Sequence, residues 1–132
     1  CEEFAPHCHL AGTINPAEMQ NYFVLADLVV VPSEFEEPFG MVAIEAMAAG
    51  VPVLAAHKGG LKEFIQEGKT GFFIENTKDH AGLARRISAL LDEPQTLAGI
   101  SHAARDYAGR HHSWEEVARQ LEAVYAAPGA GP

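Results

Sequence analysis

The sequence predicts an α/β fold in which a parallel sheet carries helices on both faces and the C-terminus is helical. Three observations predict it. Short runs that are apolar at every position, such as Leu28 to Val31, read as strands buried on both faces. These runs alternate with glycine-punctuated helical segments as far as Ile74, the pattern of parallel strands joined by right-handed crossovers. Beyond Asp79 every segment has helical spacing.

In chain order, His7 to Leu10 reads as the tail of a strand that Gly12 ends. Asn15-Pro16-Ala17-Glu18 supplies an N-cap, a first-turn proline and a capping glutamate. The helix it opens is expected to bury Met19, Tyr22, Phe23 and Ala26. Leu28 to Val31 is a strand stopped by Pro32. Gly40 to Ala49 is an alanine- and methionine-rich helix closed by Gly50, and Val51 to Leu54 is the next strand. Gly59-Gly60 opens a short helix over Leu61 to Gln66, which Gly68 ends, and Gly71 to Ile74 is a third strand. Thr77 or Asp79 caps a helix to about Leu91, and Pro94 starts another to about Tyr107. Ser113-Trp114-Glu115-Glu116 is a capping box for a last helix to about Ala126. The expected organisation is one domain over residues 1–127 and a short tail, 128–132.

With 132 residues, 48% apolar and 20% charged, the composition is that of a soluble globular chain. Eighteen acidic against nine basic residues, a net charge of −9, argue against nucleic acid as a partner. No apolar run is long enough to span a bilayer, and no signal peptide is visible. The chain opens at Cys1, which suggests a fragment, and two cysteines make no disulfide framework, which suggests a reducing, cytoplasmic setting.

The stretch Ser33 to Gly50, SEFEEPFGMVAIEAMAAG, is the most informative. Glu37 and Glu45 stand with seven residues between them, and Pro38-Phe39-Gly40 turns a polar loop into an apolar helix. A strand, a glycine turn and a helix N-terminus leave unpaired N–H groups pointing outward, which suits a phosphate. The flanking carboxylates repel phosphate but accept hydrogen bonds from neutral hydroxyls. A phosphate site beside two hydroxyl acceptors describes a nucleotide-sugar. In parallel sheets ligands lie beyond the carboxyl ends of the strands, which is where this loop begins.

The run Ala26 to Ile74, with its Glu-x7-Glu spacing inside EPFG and EAMAAGVPV, closely resembles the donor-binding half of glycosyltransferases of the two-domain GT-B architecture, in the retaining group 1 or family 4. The similarity extends back to Leu10-Ala11-Gly12 and forward to Tyr125, and implies a partial Rossmann-like C-terminal domain. It implies that Glu37 accepts from hydroxyls of the transferred sugar, that the N–H groups of Phe39, Gly40, Met41 and Val42 hold sugar and diphosphate, and that Glu45 accepts from the ribose. Gly12, Thr13 and Ile14 correspond more loosely to a loop beside the base. Lys58, before Gly59-Gly60, is either a diphosphate contact or a surface lysine. In the mechanism the resemblance implies, the leaving phosphate helps deprotonate the acceptor, and neither a protein nucleophile nor a metal is needed. The substrate would be a UDP-sugar or similar donor in carbohydrate biosynthesis, and the acceptor a glycan, lipid or small molecule.

The pattern of the family begins earlier than this chain. Its two first strands, a Gly-Arg turn, a lysine and the whole N-terminal acceptor domain are missing here, so the isolated chain is expected to be inactive. The expected setting is cytoplasmic, with peripheral membrane association through the absent domain as the alternative. In the family's strand order the missing strands lie between His7–Leu10 and Leu28–Val31, so the latter has an open edge able to self-associate or to join a larger assembly. The competing functions are a non-catalytic fragment with weak nucleotide affinity and part of a GT-B sugar-nucleotide epimerase.

The bland alternatives, which the motif outweighs, are a buried salt-bridged carboxylate for Glu45 and a solvated acidic loop for Glu37 with Glu34 and Glu36. Other residues read as structural. His7, Cys8 and His9 lack a second ligand pair for zinc. His111 and His112 read as solvent-exposed, and Trp114, Val117, Leu121 and Val124 as packing residues on one helix face.

Overall fold

The computed structural model describes residues 7–126, and the tail 128–132 and Cys1 lie outside them. Three parallel strands, β1 (Val29–Val31), β2 (Val53–Ala56) and β3 (Phe72–Ile74), form one sheet in the order β1-β2-β3. Val29 aligns with Val53 and Leu54 with Phe72, so β2 is central. Six helices accompany the sheet among the described residues: α1 (Met19–Phe23), α2 (Met41–Ala48), α3 (Leu61–Phe64), α4 (His80–Leu91), α5 (Pro94–His111) and α6 (Trp114–Ala126).

Successive residues of a strand face opposite sides, and β2 uses this to build two cores. Val53 and Ala55 pack with Ala43, Ile44 and Met47 of α2 and with Leu61 and Phe64 of α3. Leu54 packs with Phe72 and Ile74 of β3, Leu90 of α4, and Leu97 and Ile100 of α5. The second half of α5 belongs to the first core through Ala104 and Ala108, so this helix serves both. The Ser101 hydroxyl donates to the Gly50 carbonyl, tying α5 to the turn that ends α2. Thr70, the one buried polar residue among the described residues, accepts from the Gln66 N–H at 2.9 Å and donates to the Phe64 carbonyl at 3.0 Å.

Local signals act largely as the sequence implies. Asn15 accepts from the Ala17 N–H at 3.1 Å and opens a 3-10 turn over Pro16–Glu18 that runs into α1. Asp79, rather than Thr77, caps α4 by accepting from the Gly82 N–H at 2.9 Å. The Ser113 hydroxyl accepts from the Glu116 N–H at 3.2 Å at the start of α6, half of the expected capping box.

Several expectations need correction. His7 to Leu10 is not a strand: it pairs with nothing among the described residues, and Leu10 is 95% exposed. A strand needs a neighbour for its N–H and C=O groups, and none is there. Helix α1 is one turn, and it buries Phe23 while Tyr22 and Ala26 stay exposed, because only one side of it meets α2. The second strand starts at Val53 rather than Val51, α3 ends at Phe64 rather than Gln66, and α5 runs on to His111. The apolar stripe of α6 is uncovered, with Trp114 85% and Val124 60% exposed, since the described residues place nothing over that face. The outer edge of β1 has no strand partner among the described residues, and its three valines are half-buried.

Leu54 has no exposed surface at the centre of the sheet. Leu54→Ala is expected to cost about 2–5 kcal/mol in urea unfolding, by lost burial and a residual cavity. Gly99, with open space where a Cβ would stand on α5, should behave oppositely. Gly99→Ala is expected to stabilise by about 0.5–1 kcal/mol, by removing backbone freedom from the unfolded chain.

Candidate functional site

Two loops meet at the carboxyl ends of β1 and β2. The first, 32–40, leaves β1 and delivers Gly40 as the N-cap of α2. Gly40 adopts φ +95° and ψ +51°, a left-handed conformation that a side chain would strain. A Cβ there would also stand 2.5 Å from Leu61 Cδ2. The second loop leaves β2 through His57 and Lys58 to Gly59-Gly60. The two backbones touch directly. A Cβ on Gly59 would stand 2.1 Å from the Glu37 carbonyl oxygen, and one on Gly60 2.7 Å from Phe39 Cα.

Hydrogen bonds lock this contact. The Gly60 N–H donates to the Glu37 carbonyl at 2.8 Å. The Gly59 N–H donates to the Glu36 carboxylate at 2.6 Å, and Lys58 Nζ to the Glu34 carbonyl at 2.5 Å. Glu37 itself is held from within its loop, its Oε1 accepting from the Ser33 hydroxyl at 2.6 Å. Its Oε2 meets no donor among the described residues.

The structure treats the expected site residues unequally. Glu37 is half-buried, and Phe39 is half-buried with its ring 5.4 Å from that of Phe64. Met41 and Val42 are exposed in the first turn of α2, where N–H groups have no intrahelical acceptor. No other acceptor meets those two N–H groups among the described residues. Glu45 is exposed and makes no ion pair there, contrary to the buried salt bridge that its apolar neighbours suggest. The reason is helical geometry: Ile44, Ala46 and Met47 turn to the core while position 45 faces out. It lines a hollow of about 420 Å³ with Pro16, Ala17, Met19, Gln20 and Phe23. Gly12, Thr13 and Ile14 precede that hollow's wall in irregular backbone and do not line it.

Three participants were not legible as such. Glu36 looks like one more acid of a solvated loop, yet it fastens the glycine turn. Ser33 orients Glu37. His112 is not solvent-exposed, as its neighbours in sequence suggest, but packs against Phe39. The glycine pair, expected only to open a helix, is what the close approach requires, and nothing in the sequence said what it would touch.

A sheet of parallel strands with a glycine-capped helix and a loop carboxylate at its carboxyl end is that of an α/β ligand-binding domain. Residues 2–107 match the family described as glycosyl transferases group 1, and the chain belongs to that family. It is 39% identical over 121 residues to lipopolysaccharide 1,2-N-acetylglucosaminetransferase of Salmonella typhimurium, covering 92% of this chain and 32% of that protein. The fold superimposes on sucrose-phosphate synthase from Thermosynechococcus elongatus with a TM-score of 0.85 and 32% identity, covering 93% of this chain and 30% of that one. It superimposes on Anabaena Alr3699/HepE, solved in complex with UDP-glucose, with a TM-score of 0.76 and 29% identity, covering 83% and 30%. The chain thus spans about a third of the length of these relatives. Its fold is the GT-B type of α/β domain that its motif implies.

Adding a methyl group between the two loops tests their contact. Gly60→Ala is expected to cost about 1–3 kcal/mol of stability, since the clash is with backbone that no rotamer change relieves. Gly109→Ala, a glycine with open space around it, is the control, and urea unfolding of both checks the contrast.

Proposed function

We propose that this chain is the donor-binding portion of a glycosyltransferase, holding a nucleoside-diphosphate sugar between loop 32–40 and α2. The parent would transfer a hexosyl group, with retention, to a glycan, lipid or small-molecule acceptor chosen by a further domain. The observation that carries the reading is the free first turn of α2 behind the left-handed Gly40, with a restrained Glu37 on one side and an exposed Glu45 on the other. The N–H groups of Gly40, Met41 and Val42 suit the diphosphate and stabilise the charge that develops on it as the sugar departs. Glu37 Oε2, unused by the protein, suits a sugar hydroxyl, and Glu45, facing solvent, suits the vicinal ribose diol. The hollow beside Glu45 would admit the nucleoside, with Gly12 to Ile14 near the base. That the Anabaena relative was solved with UDP-glucose supports UDP-glucose as the first donor to try.

Lys58 supports a structural role more than a phosphate contact, because its ammonium is engaged by the Glu34 carbonyl. The described surroundings of the loop otherwise offer acids, which favours cations supplied by a further domain and weak affinity in the isolated chain. The proposal calls for no metal or other cofactor, as the family resemblance implies. No described helix is long and apolar enough to cross a membrane, and a cytoplasmic setting is part of the proposal. We further propose that the unpaired edge of β1 seats another strand, a second copy when the chain is alone.

Titration calorimetry with UDP and UDP-glucose tests the central proposal. Glu45→Gln is expected to weaken both about equally, by about tenfold, as one charge-assisted hydrogen bond implies. Glu37→Gln is expected to weaken UDP-glucose more than UDP. Equal losses in the two variants for both ligands would overturn the assignment, and no heat with either ligand would favour a non-catalytic fragment. Light scattering at micromolar concentration tests the edge: a dimer is expected, and a monomer would refute it.

A further inference from the structure

Phe39, in the middle of the proposed donor loop, rests on an imidazole. Its ring centroid lies 5.6 Å from that of His112, edge to face, and 5.4 Å from that of Phe64. His112 in turn meets Phe64 at 5.8 Å, edge to face, and Tyr107 at 5.8 Å. Four rings from the loop, α3, α5 and the corner between α5 and α6 thus form one cluster under the site. The backbone fixes the histidine there, its N–H donating to the Ala108 carbonyl at 2.9 Å where α5 ends.

The chemistry of this ring does not suit mere packing. Its Nε2 is buried, and no hydrogen-bond partner meets it among the described residues. A phenyl ring would fill similar space without an unpaired polar atom, whose burial is costly. Taking up a second proton would put a charged N–H donor into the same apolar setting, where it has nothing to donate to.

We propose that His112 is a positioning residue for the donor loop: while neutral, it packs under Phe39 and so holds Gly40 and the first turn of α2 ready for ligand. Protonation expels the ring toward water and releases Phe39. The inference rests on the reading of loop 32–40 as a nucleotide-sugar site. Of the titratable and charged groups on the elements around His112, Tyr107 meets the ring and His111 and Glu63 act on it; α5 also carries His102, Arg105, Asp106 and Arg110, α3 Lys62, the loop Glu34, Glu36 and Glu37, and α6 Glu115, Glu116, Arg119, Glu122 and Tyr125. Burial is the largest influence and pushes the imidazole below its ordinary value of 6.5; the adjacent His111 acts the same way, and Glu63 opposes them. The unfolded or released ring therefore takes the proton first. The contribution of the packed ring is complete above about pH 6.5 and is lost as the pH falls below it.

The test is an NMR titration of the 132-residue chain from about pH 8 to about pH 5, following the His112 ring and the amides of Phe39 and Gly40. The expected result is that His112 titrates below the ordinary histidine range and that both amides move with its midpoint. In His112→Phe, which fills the space without titrating, the amides should stay still. UDP-glucose affinity should fall at least about threefold between pH 7.5 and pH 5.5 in the wild type, and remain level in His112→Phe. Amides that stay still while His112 titrates would overturn the proposal, as would an unchanged pH profile in His112→Phe. The wild-type titration decides the matter even if that variant fails to fold. Coupled amide shifts without binding of UDP-glucose at any pH would uphold the coupling and refute the donor reading instead.

Discussion

The structure turns on one close contact, the backbone of Gly59-Gly60 laid against the backbone of Glu37 to Phe39. A Cβ at either glycine would clash with the facing backbone, and two of the hydrogen bonds across the contact come from the N–H groups of those same glycines, a third from Lys58 Nζ. Both loops are the exits of neighbouring parallel strands, so the register of β1 on β2 sets how the loops meet. The orientation of Phe39, the left-handed turn at Gly40 and the direction of the first turn of α2 all follow. The proposed site, built this way, would have little reorganisation left on binding an anion, which is the condition under which backbone N–H groups are most effective.

The same contact explains why so many acids can sit beside a proposed diphosphate. Glu36 Oε2 is used up by the Gly59 N–H, and Glu37 Oε1 by Ser33. Glu37 Oε2 is left for the proposed sugar hydroxyl, while the Glu34 carboxylate and the second oxygen of Glu36 meet no donor among the described residues. The aromatic cluster below adds a second support, linking the loop to the end of α5 and thus to the C-terminal helices. The proposed donor site is held by both halves of the chain, although its motif occupies only the first.

How much of this the sequence revealed depends on whether a residue's role is local. The strand at Val29–Val31 and the helix at Met41–Ala48 are written in consecutive residues, and the fold class and the family followed from them. The caps at Asn15, Asp79 and Ser113 are equally local. By contrast, a strand at His7–Leu10 needed a neighbour that sequence periodicity cannot supply, and the uncovered stripe of α6 shows that a correct helical period does not guarantee a partner. Glu45 misled as a lone residue because its apolar neighbours belong to the other face of its helix. Glu36 and His112 owe their roles to contacts 23 residues away in one case and across three elements in the other. Such roles exist only once the chain is folded.

The most direct measurement is the map of amide shifts produced by UDP-glucose in the 132-residue chain. The account predicts that the largest changes fall on Phe39, Gly40, Met41, Val42 and Glu45, with smaller ones along Pro16 to Phe23 beside the hollow. Changes centred instead on the separate hollow formed by Asn76, Asp79, Arg85 and Arg86, with loop 32–40 unmoved, would contradict it.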